Sequence, residues 1–230
     1  MNQSHAHAAV VALFVRAPIP GRVKTRLAAG MGKENSCLLY RAMADDVVRA
    51  VRDSGLALDL FHDGAAAQAE SLLPAPWRAA ARQVIAQQGN DIGERMAAAF
   101  HHCFSRGVNR TIVAGSDVPD LCAAVFAAAD RALRDHEVVL APTVDGGYGL
   151  IGLHRASWHP ELFHNIPWST DQVTPATLAA IKQLGLTVCL LEPLRDLDTV
   201  ADVRSYARCP APEALETNQT IARLAGDLCI

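Results

Sequence analysis

Residues 10–26 read VVALFVRAPIPGRVKTR, a run of strand-forming apolar residues followed by a loop rich in proline and positive charge. The prolines fix φ and stop the strand, and Gly21 lets the backbone approach a ligand closely. A long amphipathic helix is expected next, and its unpaired N–H groups would face the same place. Arg22, Lys24 and Arg26 would then neutralise a di- or triphosphate. The stretch therefore predicts a phosphate-binding loop, although the same residues also fit a solvated cationic turn.

This loop differs from a Walker A motif, although it contains glycine, lysine and threonine. The motif needs glycine and lysine in direct succession before Ser or Thr, and here two residues separate Gly21 from Lys24 and Thr25. The position of the loop supports the phosphate-binding interpretation, because open α/β sheets bind ligands beyond the carboxyl ends of their strands.

Apolar runs of strand length alternate with helical periodicity along most of the chain. The runs span residues 10–15, 56–61, 83–86, 111–114, 138–141, 149–153 and 186–191. Helical spacing of apolar residues predicts helices around 39–51 and 92–103, and further helices are expected at 65–73, 119–134, 171–184 and 199–207. This alternation predicts an α/β fold, a three-layer α/β/α sandwich around a mostly parallel mixed sheet.

Length and composition favour one domain. A chain of 230 residues that is 50% hydrophobic is long enough to bury one sizeable core. The alternating pattern is uniform over residues 8–208, which we expect to form the domain. Residues 209–230, with their prolines and polar run, are expected to form a loosely attached C-terminal tail with one short helix.

Charge, cysteine usage and the N-terminus exclude several classes of protein. A net charge of −3 gives no basic footprint for nucleic acid, and the apolar run 8–15 is too short to cross a membrane. The six cysteines form no Cys-x-x-Cys pair, and no basic region of a signal peptide is present. We expect a cytoplasmic protein with no nucleic-acid or membrane partner.

Two acidic segments are candidates for binding a divalent cation. Asp117 follows the strand-like run 111–114 and would lie on the ligand side of the sheet. Asp196 and Asp198 follow the last strand, and in an extended segment their side chains would point the same way. Carboxylate oxygens, together with substrate phosphates, are ligands that Mg²⁺ prefers. Asp117 is therefore the first candidate metal ligand, and Asp196 and Asp198 are candidates for the second.

Helix capping is the alternative role for these acidic residues. Asp117 or Ser116 could cap a helix that begins near Pro119. Thr199 and Asp202 fit a capping box, so Asp202 is expected to be structural.

A glycine-rich turn lies at residues 145–152. It contains Gly-x-Gly-x-x-Gly, but it lies in the middle of the chain and continues into a strand-like run, whereas the dinucleotide fingerprint should open a helix of the first βαβ unit. A tight turn at Asp145, Gly146 and Gly147 could instead lie against a sugar or acceptor, with Asp145 accepting hydrogen bonds from hydroxyls. An ordinary Asp-Gly turn is the alternative.

Two further segments have polar or aromatic residues suited to a nucleotide. Gln88, Gly89 and Asp91 lie just before a predicted helix, where amide and backbone groups could contact a base. Asp91 also fits a helix cap. Trp168 could lay its indole over a sugar, or it could belong to the core.

These segments, in this order, resemble the GT-A-like transferases described as glycosyltransferases associated with radical-SAM or selenoprotein-type gene neighbourhoods, with arsenosugar synthesis proposed for some. The likeness covers about residues 10–208. It rests on five motifs, which together are far more specific than any one: residues 17–27, 88–96, 115–119, 145–148, and 168–170 with 196–199.

The resemblance implies a GT-A-like nucleotide-diphospho-sugar transferase fold and a metal-dependent glycosyltransferase that moves a sugar from a nucleotide-diphosphate donor to a small-molecule acceptor. Mg²⁺ or Mn²⁺ would bind to Asp117 and Asp198. Lys24 and Arg22 would stabilise the leaving nucleotide, and Asp145 would orient the acceptor or act as a general base. The expected nucleotide-binding residues are Pro20, Gly21, Arg26, Gln88, Gly89, Asp91, Gly146, Gly147 and Trp168.

The same fold is similar to that of sugar-phosphate nucleotidyltransferases and of the molybdenum-cofactor and phospholactate guanylyltransferases. Those enzymes have a Gly-Gly-x-Ser/Thr-x-Arg-Met form of the first loop, and this chain has prolines there, which favours a nucleotide-sugar donor. The alternative is a nucleotidyltransferase that joins a nucleoside monophosphate, from a nucleoside triphosphate, to a phosphorylated small molecule and releases pyrophosphate. A nucleotide-binding module without catalysis is a third possibility.

Overall fold

The computed structural model describes residues 9–63 and 71–228. Within these ranges one sheet contains seven strands, which are β1 (Val10–Val15), β2 (Ala57–His62), β3 (Gln83–Ala86), β4 (Arg110–Gly115), β5 (Val138–Pro142), β6 (Tyr148–His154) and β7 (Val188–Leu190). All seven predicted strands are therefore present.

The strand order is β3-β2-β1-β4-β6-β5-β7. Strand β6 runs antiparallel to β4 and β5, and the other pairings are parallel. The carboxyl ends of six strands and the amino end of β6 consequently meet at one side of the sheet, called the carboxyl edge below. The predicted mostly parallel mixed sheet is confirmed.

The described ranges contain eight α-helices, which are α1 (Thr25–Met31), α2 (Lys33–Asp53), α3 (Ala75–Ala80), α4 (Ile92–Ser105), α5 (Ala123–Ala132), α6 (Val173–Gln183), α7 (Val200–Arg208) and α8 (Leu215–Leu228). Two short 3-10 helices follow β6 at Arg155–Ser157 and Pro160–Phe163. No helix in the described part of the chain is long and apolar enough to cross a membrane.

Helices cover both faces of the sheet, because alternate side chains of each buried strand point to opposite faces. Val11 and Leu13 of β1 belong to a core that includes residues of α2 and α5. Val10 and Ala12 belong to a second core formed with α4 and α6. The result is the expected three-layer α/β/α sandwich.

The long helix expected after the first loop is two helices. Gly32 lies between α1 and α2 with φ 84° and ψ 159°, a backbone conformation that glycine adopts at little cost. The break shortens α1 to seven residues.

Other helix boundaries also differ from those expected. Helix α5 begins at Ala123 rather than near Pro119 and has Cys122 at its N-cap, so neither Ser116 nor Asp117 caps it. Helix α3 was not predicted. Residues 65–70 of the helix expected at 65–73 lie outside the described residues.

The C-terminal helix α8 packs against α2 through a buried carboxylate. Asp46 of α2 accepts hydrogen bonds from the backbone N of Glu216 at 3.0 Å and of Thr217 at 2.8 Å, and from Thr217 Oγ1 at 2.7 Å. These N–H groups belong to the first turn of α8, where intrahelical acceptors are lacking. The division into a domain at 8–208 and a tail at 209–230 stays a prediction, but α8 itself is held firmly rather than loosely.

Candidate functional site

The loop after β1 ends in a residue with an unusual backbone conformation. Lys24, the N-cap of α1, has φ 46° and ψ 52°, in the left-handed region that few non-glycine residues occupy. Such a conformation costs on the order of 1 kcal/mol or more, and surrounding contacts must maintain it. The side chain of this residue is held by two ion pairs.

The Lys24 ammonium lies between two carboxylates from distant parts of the chain. Its Nζ atom is 2.8 Å from Asp117 Oδ2, in the loop after β4, and 2.7 Å from Asp198 Oδ1, in the segment after β7. Arg26 NH1 is 3.3 Å from the other oxygen of Asp198. The structure therefore brings together Lys24, Arg26, Asp117 and Asp198, which we name the ionic cluster.

The cluster has a graded exposure. The Lys24 side chain is only 5% exposed, whereas those of Asp117 and Asp198 are 41% and 28% exposed and that of Arg26 is 71% exposed. The carboxylates are thus reachable from solvent, while the ammonium lies beneath them.

Burial and ion pairing act on these groups in opposite directions. Burial lowers the pKa of Lys24, but the charges of Asp117 and Asp198 outweigh it and raise this pKa above its usual value. Burial raises the pKa of Asp117, but the Lys24 ammonium outweighs it, so that this pKa lies below its usual value. Both groups are therefore charged at neutral pH.

Tyr40 of α2 ties the loop after β1 to the loop after β4. Its hydroxyl accepts a hydrogen bond from Arg16 N at 2.7 Å and lies 3.0 Å from Ser116 Oγ. The ring is buried, and burial raises the pKa of Tyr40 to about 12. This neutral phenol therefore links the backbone at Arg16 to Ser116, the residue before Asp117.

A cleft of about 610 Å³ opens at the carboxyl edge above the cluster. A smaller cavity of about 280 Å³ adjoins it and includes Lys24. Both are lined by Arg16, Arg26, Tyr40, Asp117 and Asp198. The volume of the larger cleft lies within the range of about 300–1,000 Å³ typical of ligand sites.

The Asp-Gly-Gly turn forms one wall of the cleft. Asp145 Oδ1 accepts hydrogen bonds from Thr143 Oγ1 and from Gly147 N, so this carboxylate shapes its own turn. Gly146 has φ 93°, and a Cβ atom there would lie 2.5 Å from the backbone of Asp171. Asp145 and Gly147 line the cleft.

The turn before α4 uses most of its polar groups internally. Asp91 accepts a hydrogen bond from Glu94 N at 2.8 Å, so the capping role considered for Asp91 is present. Glu94 Oε2 accepts from Asn90 N at 2.7 Å, and Arg95 Nε donates to Gly89 O at 3.2 Å. Arg95 lines the cleft together with Gln87.

Trp168 is an aromatic residue of the cleft wall. Its half-buried indole packs so closely on Gly93 that a Cβ atom at this glycine would lie 2.6 Å from two indole atoms. The indole also meets the ring of Tyr148 edge-on, at 6.3 Å between centroids. Trp168 lines the cleft and is therefore positioned to contact a ligand.

Comparison with known proteins identifies the family. A family described as "Uncharacterized protein conserved in bacteria (DUF2064)" matches residues 46–170, which is more than half of the chain. The chain belongs to this family. No curated protein matches the DUF2064 chain.

Solved structures share the fold of this DUF2064 protein. A protein from Desulfovibrio desulfuricans G20, provisionally described as a nucleotide-diphospho-sugar transferase, is 28% identical, with a TM-score of 0.88 and 97% of each chain covered. A 4-diphosphocytidyl-2C-methyl-D-erythritol synthase from Anaerococcus prevotii DSM 20548 is 9% identical, with a TM-score of 0.55 and coverage of 94% and 99%. The expected nucleotide-diphospho-sugar transferase fold is confirmed.

A third similar structure contains a metal. It is Rv0371C from Mycobacterium tuberculosis H37Rv in complex with manganese, which is 15% identical, with a TM-score of 0.50 and coverage of 86% and 97%. At this identity the likeness concerns the fold alone.

The geometry of the DUF2064 chain itself fits a hard divalent cation. One ammonium contacts both Asp117 and Asp198 within 2.8 Å, so the two carboxylates converge on a single cation position. Within residues 9–63 and 71–228, no group of three or more His, Cys, Asp or Glu side chains could hold a metal ion. Two carboxylates nevertheless suit Mg²⁺, which keeps several waters and takes phosphate oxygens of the substrate.

Some predicted residues do not line either cavity. Arg22, Pro20 and Gln88 are exposed and are absent from the described residues that line the two cavities. Arg22 belongs to a turn in which its backbone N donates to Ile19 O at 3.0 Å. Gln87 lines the cleft in place of its neighbour Gln88, because adjacent side chains after a strand point to opposite sides.

Several lining residues were not singled out from the sequence. Arg16 carries the fourth cation of the loop, and Tyr40 and Arg95 come from helices α2 and α4. Arg16 belongs to the cationic loop after β1 and Arg95 to the motif at residues 88–96, so their charge was the available signal. Tyr40 belongs to a helix whose apolar pattern predicts burial in the core. Its position in that pattern is the same as that of a residue that only packs in the core, so nothing in the sequence indicated its role in the site.

Proposed function

We propose that this protein is a transferase that binds a nucleotide through its diphosphate and moves a glycosyl group from a nucleotide-diphosphate sugar to a small acceptor. One observation carries the proposal. Lys24, at the N-cap of α1, and Arg26, in its first turn, meet two aspartates that follow other strands beneath a cleft of about 610 Å³. Cations for phosphate and carboxylates for a divalent metal are the parts that such a reaction requires.

Each part of the cleft has a proposed role. Lys24 and Arg26, with Arg16 beside them, neutralise the charge that develops on the leaving nucleotide. Trp168 contacts the sugar or the base, and Gln87 and Arg95 line the side of the cleft near β3. Asp145, on the opposite wall, orients the acceptor or takes its proton.

The proposed metal is Mg²⁺ or Mn²⁺, held by Asp117 and Asp198. When bound, such an ion would supply Lewis-acid stabilisation of the diphosphate.

Nucleotidyl transfer is the second candidate, and the fold that this chain shares with a nucleotidyltransferase supports it. One structure with this fold, a CMP:2-keto-3-deoxy-manno-octonic acid synthetase in complex with CTP, has a TM-score of 0.53 and 11% identity. Here the same cleft would bind a nucleoside triphosphate, and a phosphorylated small molecule would displace pyrophosphate.

Product analysis separates the two reactions. The protein is incubated with UDP- and GDP-sugars, and in parallel with GTP, CTP or UTP and phosphorylated small molecules, each with Mn²⁺. Release of nucleoside diphosphate from a nucleotide sugar, without pyrophosphate, supports glycosyl transfer. Release of pyrophosphate from a nucleoside triphosphate would instead show that the reaction is nucleotidyl transfer. Nucleotide binding with no turnover, unchanged in Asp117→Ala, would leave only a binding module.

A thermal-shift screen reduces the number of candidate donor nucleotides and sugars. Nucleoside diphosphates and nucleotide sugars are compared with and without Mn²⁺, because a ligand that binds the folded state raises its apparent stability. An equal shift in the presence of EDTA would count against the metal.

The association of similar transferases with radical-SAM or selenoprotein gene neighbourhoods, and a cytoplasmic location, stay expectations for this chain.

A further inference from the structure

The Lys24 ammonium occupies the position on which the two carboxylates of the ionic cluster converge. It contacts Asp117 Oδ2 at 2.8 Å and Asp198 Oδ1 at 2.7 Å, and its side chain is 5% exposed. The backbone of Lys24 is left-handed, so the chain accepts local strain at the residue that carries this charge. The ammonium is therefore a built-in counterion of the carboxylate pair.

A second cation would compete with this ammonium. The position between Asp117 and Asp198 admits one positive ion in contact with both, and two cations held within a few ångströms repel each other strongly outside bulk water. Arg26 already contacts the far oxygen of Asp198, which adds to the positive charge around the pair. A divalent ion can thus enter only where Lys24 leaves.

We propose that Lys24 acts as a removable counterion, which keeps divalent cations out of the Asp117–Asp198 pair until a diphosphate draws its ammonium away. The proposal rests on the proposed function, because it assumes that a diphosphate binds in the cleft. It assigns to Lys24 a regulatory role at the metal site in addition to its contact with phosphate.

Charge and position support this exchange. Lys24 lines the smaller cavity together with Arg16 and Arg26, so a diphosphate bound there would meet three cations. A lysine side chain has four flexible methylene groups and a compact charge, which allows it to change partners. Donor binding would give the ammonium a new anionic partner and free the carboxylates for the metal, so metal and donor would bind with positive coupling.

The first test measures Mn²⁺ affinity without any nucleotide. Isothermal titration calorimetry compares the wild-type protein with Lys24→Met, which keeps side-chain length and removes the charge. Lys182→Met, at an exposed lysine of α6, is the matched control. We expect Lys24→Met to bind Mn²⁺ roughly tenfold or more tightly than the wild-type protein, because a competing unit charge is gone. We expect Lys182→Met to match the wild type.

Adding Asp198→Asn to Lys24→Met should remove the gain and thereby locate the ion. Equal or weaker Mn²⁺ binding by Lys24→Met would overturn the proposal. So would a gain in affinity that survives Asp198→Asn, since the ion would then bind elsewhere.

The second test needs no variant. The chain contains three lysines, Lys24, Lys33 and Lys182, so lysine labelled with ¹⁵N at Nζ gives few ammonium signals in a proton–nitrogen correlation spectrum. Lys33 and Lys182 are exposed, and a buried, ion-paired ammonium is the one expected to exchange slowly enough to be seen. Mg²⁺ alone should leave the Lys24 signal in place, and inorganic pyrophosphate alone should shift it.

The outcomes separate this inference from the proposed function. Displacement of the Lys24 signal by Mg²⁺ alone, or no response to pyrophosphate, would overturn the counterion exchange even if the protein turns over nucleotide sugars. Failure to turn over any nucleotide substrate, with a tight Mn²⁺ site in Lys24→Met, would instead contradict the proposed function and leave the competition at the carboxylates intact.

Discussion

Lys24 Nζ lies 2.8 Å from Asp117 Oδ2, although Lys24 follows the first strand of the chain and Asp117 follows the fourth. The contact is possible because β1 and β4 are neighbours in the sheet and run parallel, so their carboxyl ends are adjacent. Asp198 joins them from the segment after β7. Sheet topology thus assembles charges that are far apart in sequence around one position.

The first prediction concerns recognition of the diphosphate. Lys24→Ala should weaken binding of nucleoside diphosphates by about 10- to 100-fold, since a hydrogen bond to a charged group contributes about 1.5–3 kcal/mol. Binding of the corresponding nucleosides should change little. Calorimetry in EDTA gives both affinities without help from a metal. Arg52→Ala, at an exposed arginine of α2 that pairs with Asp53, is the control. A uniform loss for nucleosides and diphosphates would show that Lys24 does not act through phosphate.

The second prediction concerns the carboxylates. Asp117→Asn and Asp198→Asn should each lower turnover by about hundredfold or more with Mn²⁺, because the amide that replaces each carboxylate is a weaker ligand for a hard cation. Asp53→Asn, on the exposed surface of α2, should retain full activity. Mn²⁺ binding measured by electron paramagnetic resonance should fall in parallel with turnover. Full Mn²⁺ binding in both variants would place the metal at another site.

The sequence predicted the fold well, for a physical reason. Each buried strand of a parallel sheet is a short apolar run bounded by turn residues, and all seven such runs became strands. The loop motifs after β1, β4, β5 and β7 then had to lie near one another once the strands were parallel. Lys24, Asp117 and Asp198 could therefore be identified without coordinates.

The remaining details depended on tertiary contacts that a linear pattern does not encode. The backbone break at Gly32 divides the segment after the first loop into α1 and α2, where the sequence predicted one long helix. Arg22 and Lys24 carry the same charge two residues apart, and only the turn geometry decides that Lys24 points inward. The role of Tyr40 depends on two backbone loops that approach it from other strands.

The third prediction tests how Tyr40 supports the site. Tyr40→Phe keeps the buried ring and removes the hydroxyl that accepts from Arg16 N and contacts Ser116 Oγ. A fully buried donor without an acceptor costs about 1–3 kcal/mol, and Arg16 N is partly buried, so the free energy of unfolding should fall by up to about that amount. Urea denaturation of Tyr40→Phe, Ser116→Ala and the double variant measures the coupling between the two hydroxyls. Strictly additive effects would show that the hydroxyls do not interact.

The fourth prediction concerns the packing of the Trp168 indole on Gly93. Gly93→Ala places a methyl group where two indole atoms now lie at 2.6 Å, so the indole should move outward into solvent. Greater quenching of tryptophan fluorescence by iodide, absent in Trp168→Phe, would report this movement. Gly226→Ala in α8, where a Cβ atom meets nothing within 4 Å, is the matched helical control.

The two glycine variants should change stability in opposite directions. Gly226→Ala should stabilise the protein by up to about 1 kcal/mol through helix propensity. In Gly93→Ala the clash of the new methyl group with the Trp168 indole should cancel this stabilisation. Combining Gly93→Ala with Trp168→Phe should restore it. Equal stabilisation by both single variants would show that the indole is not constrained by Gly93.

The last prediction concerns the pH dependence of stability and compares Asp196 and Asp117, whose pKa values shift in opposite directions. Burial raises the pKa of Asp196, and the nearby charges of Asp145 and Asp198 raise it further. The pKa of Asp117, by contrast, lies below its usual value because of the Lys24 ammonium, which outweighs burial.

The sign of each effect follows from proton linkage. The folded protein retains a proton on Asp196 that the unfolded chain has already lost, so this group lowers stability as the pH rises above about 3.9. Asp117 adds stability above that pH, and the contribution is lost as the pH falls through its lower folded pKa. Asp196→Asn should therefore raise the free energy of unfolding at pH 7, and Asp117→Asn should lower it. Both differences should shrink on acidification when measured by urea denaturation across the acid range. A destabilised Asp196→Asn at neutral pH would mean that the ionised carboxylate makes contacts that outweigh its repulsion by Asp145 and Asp198.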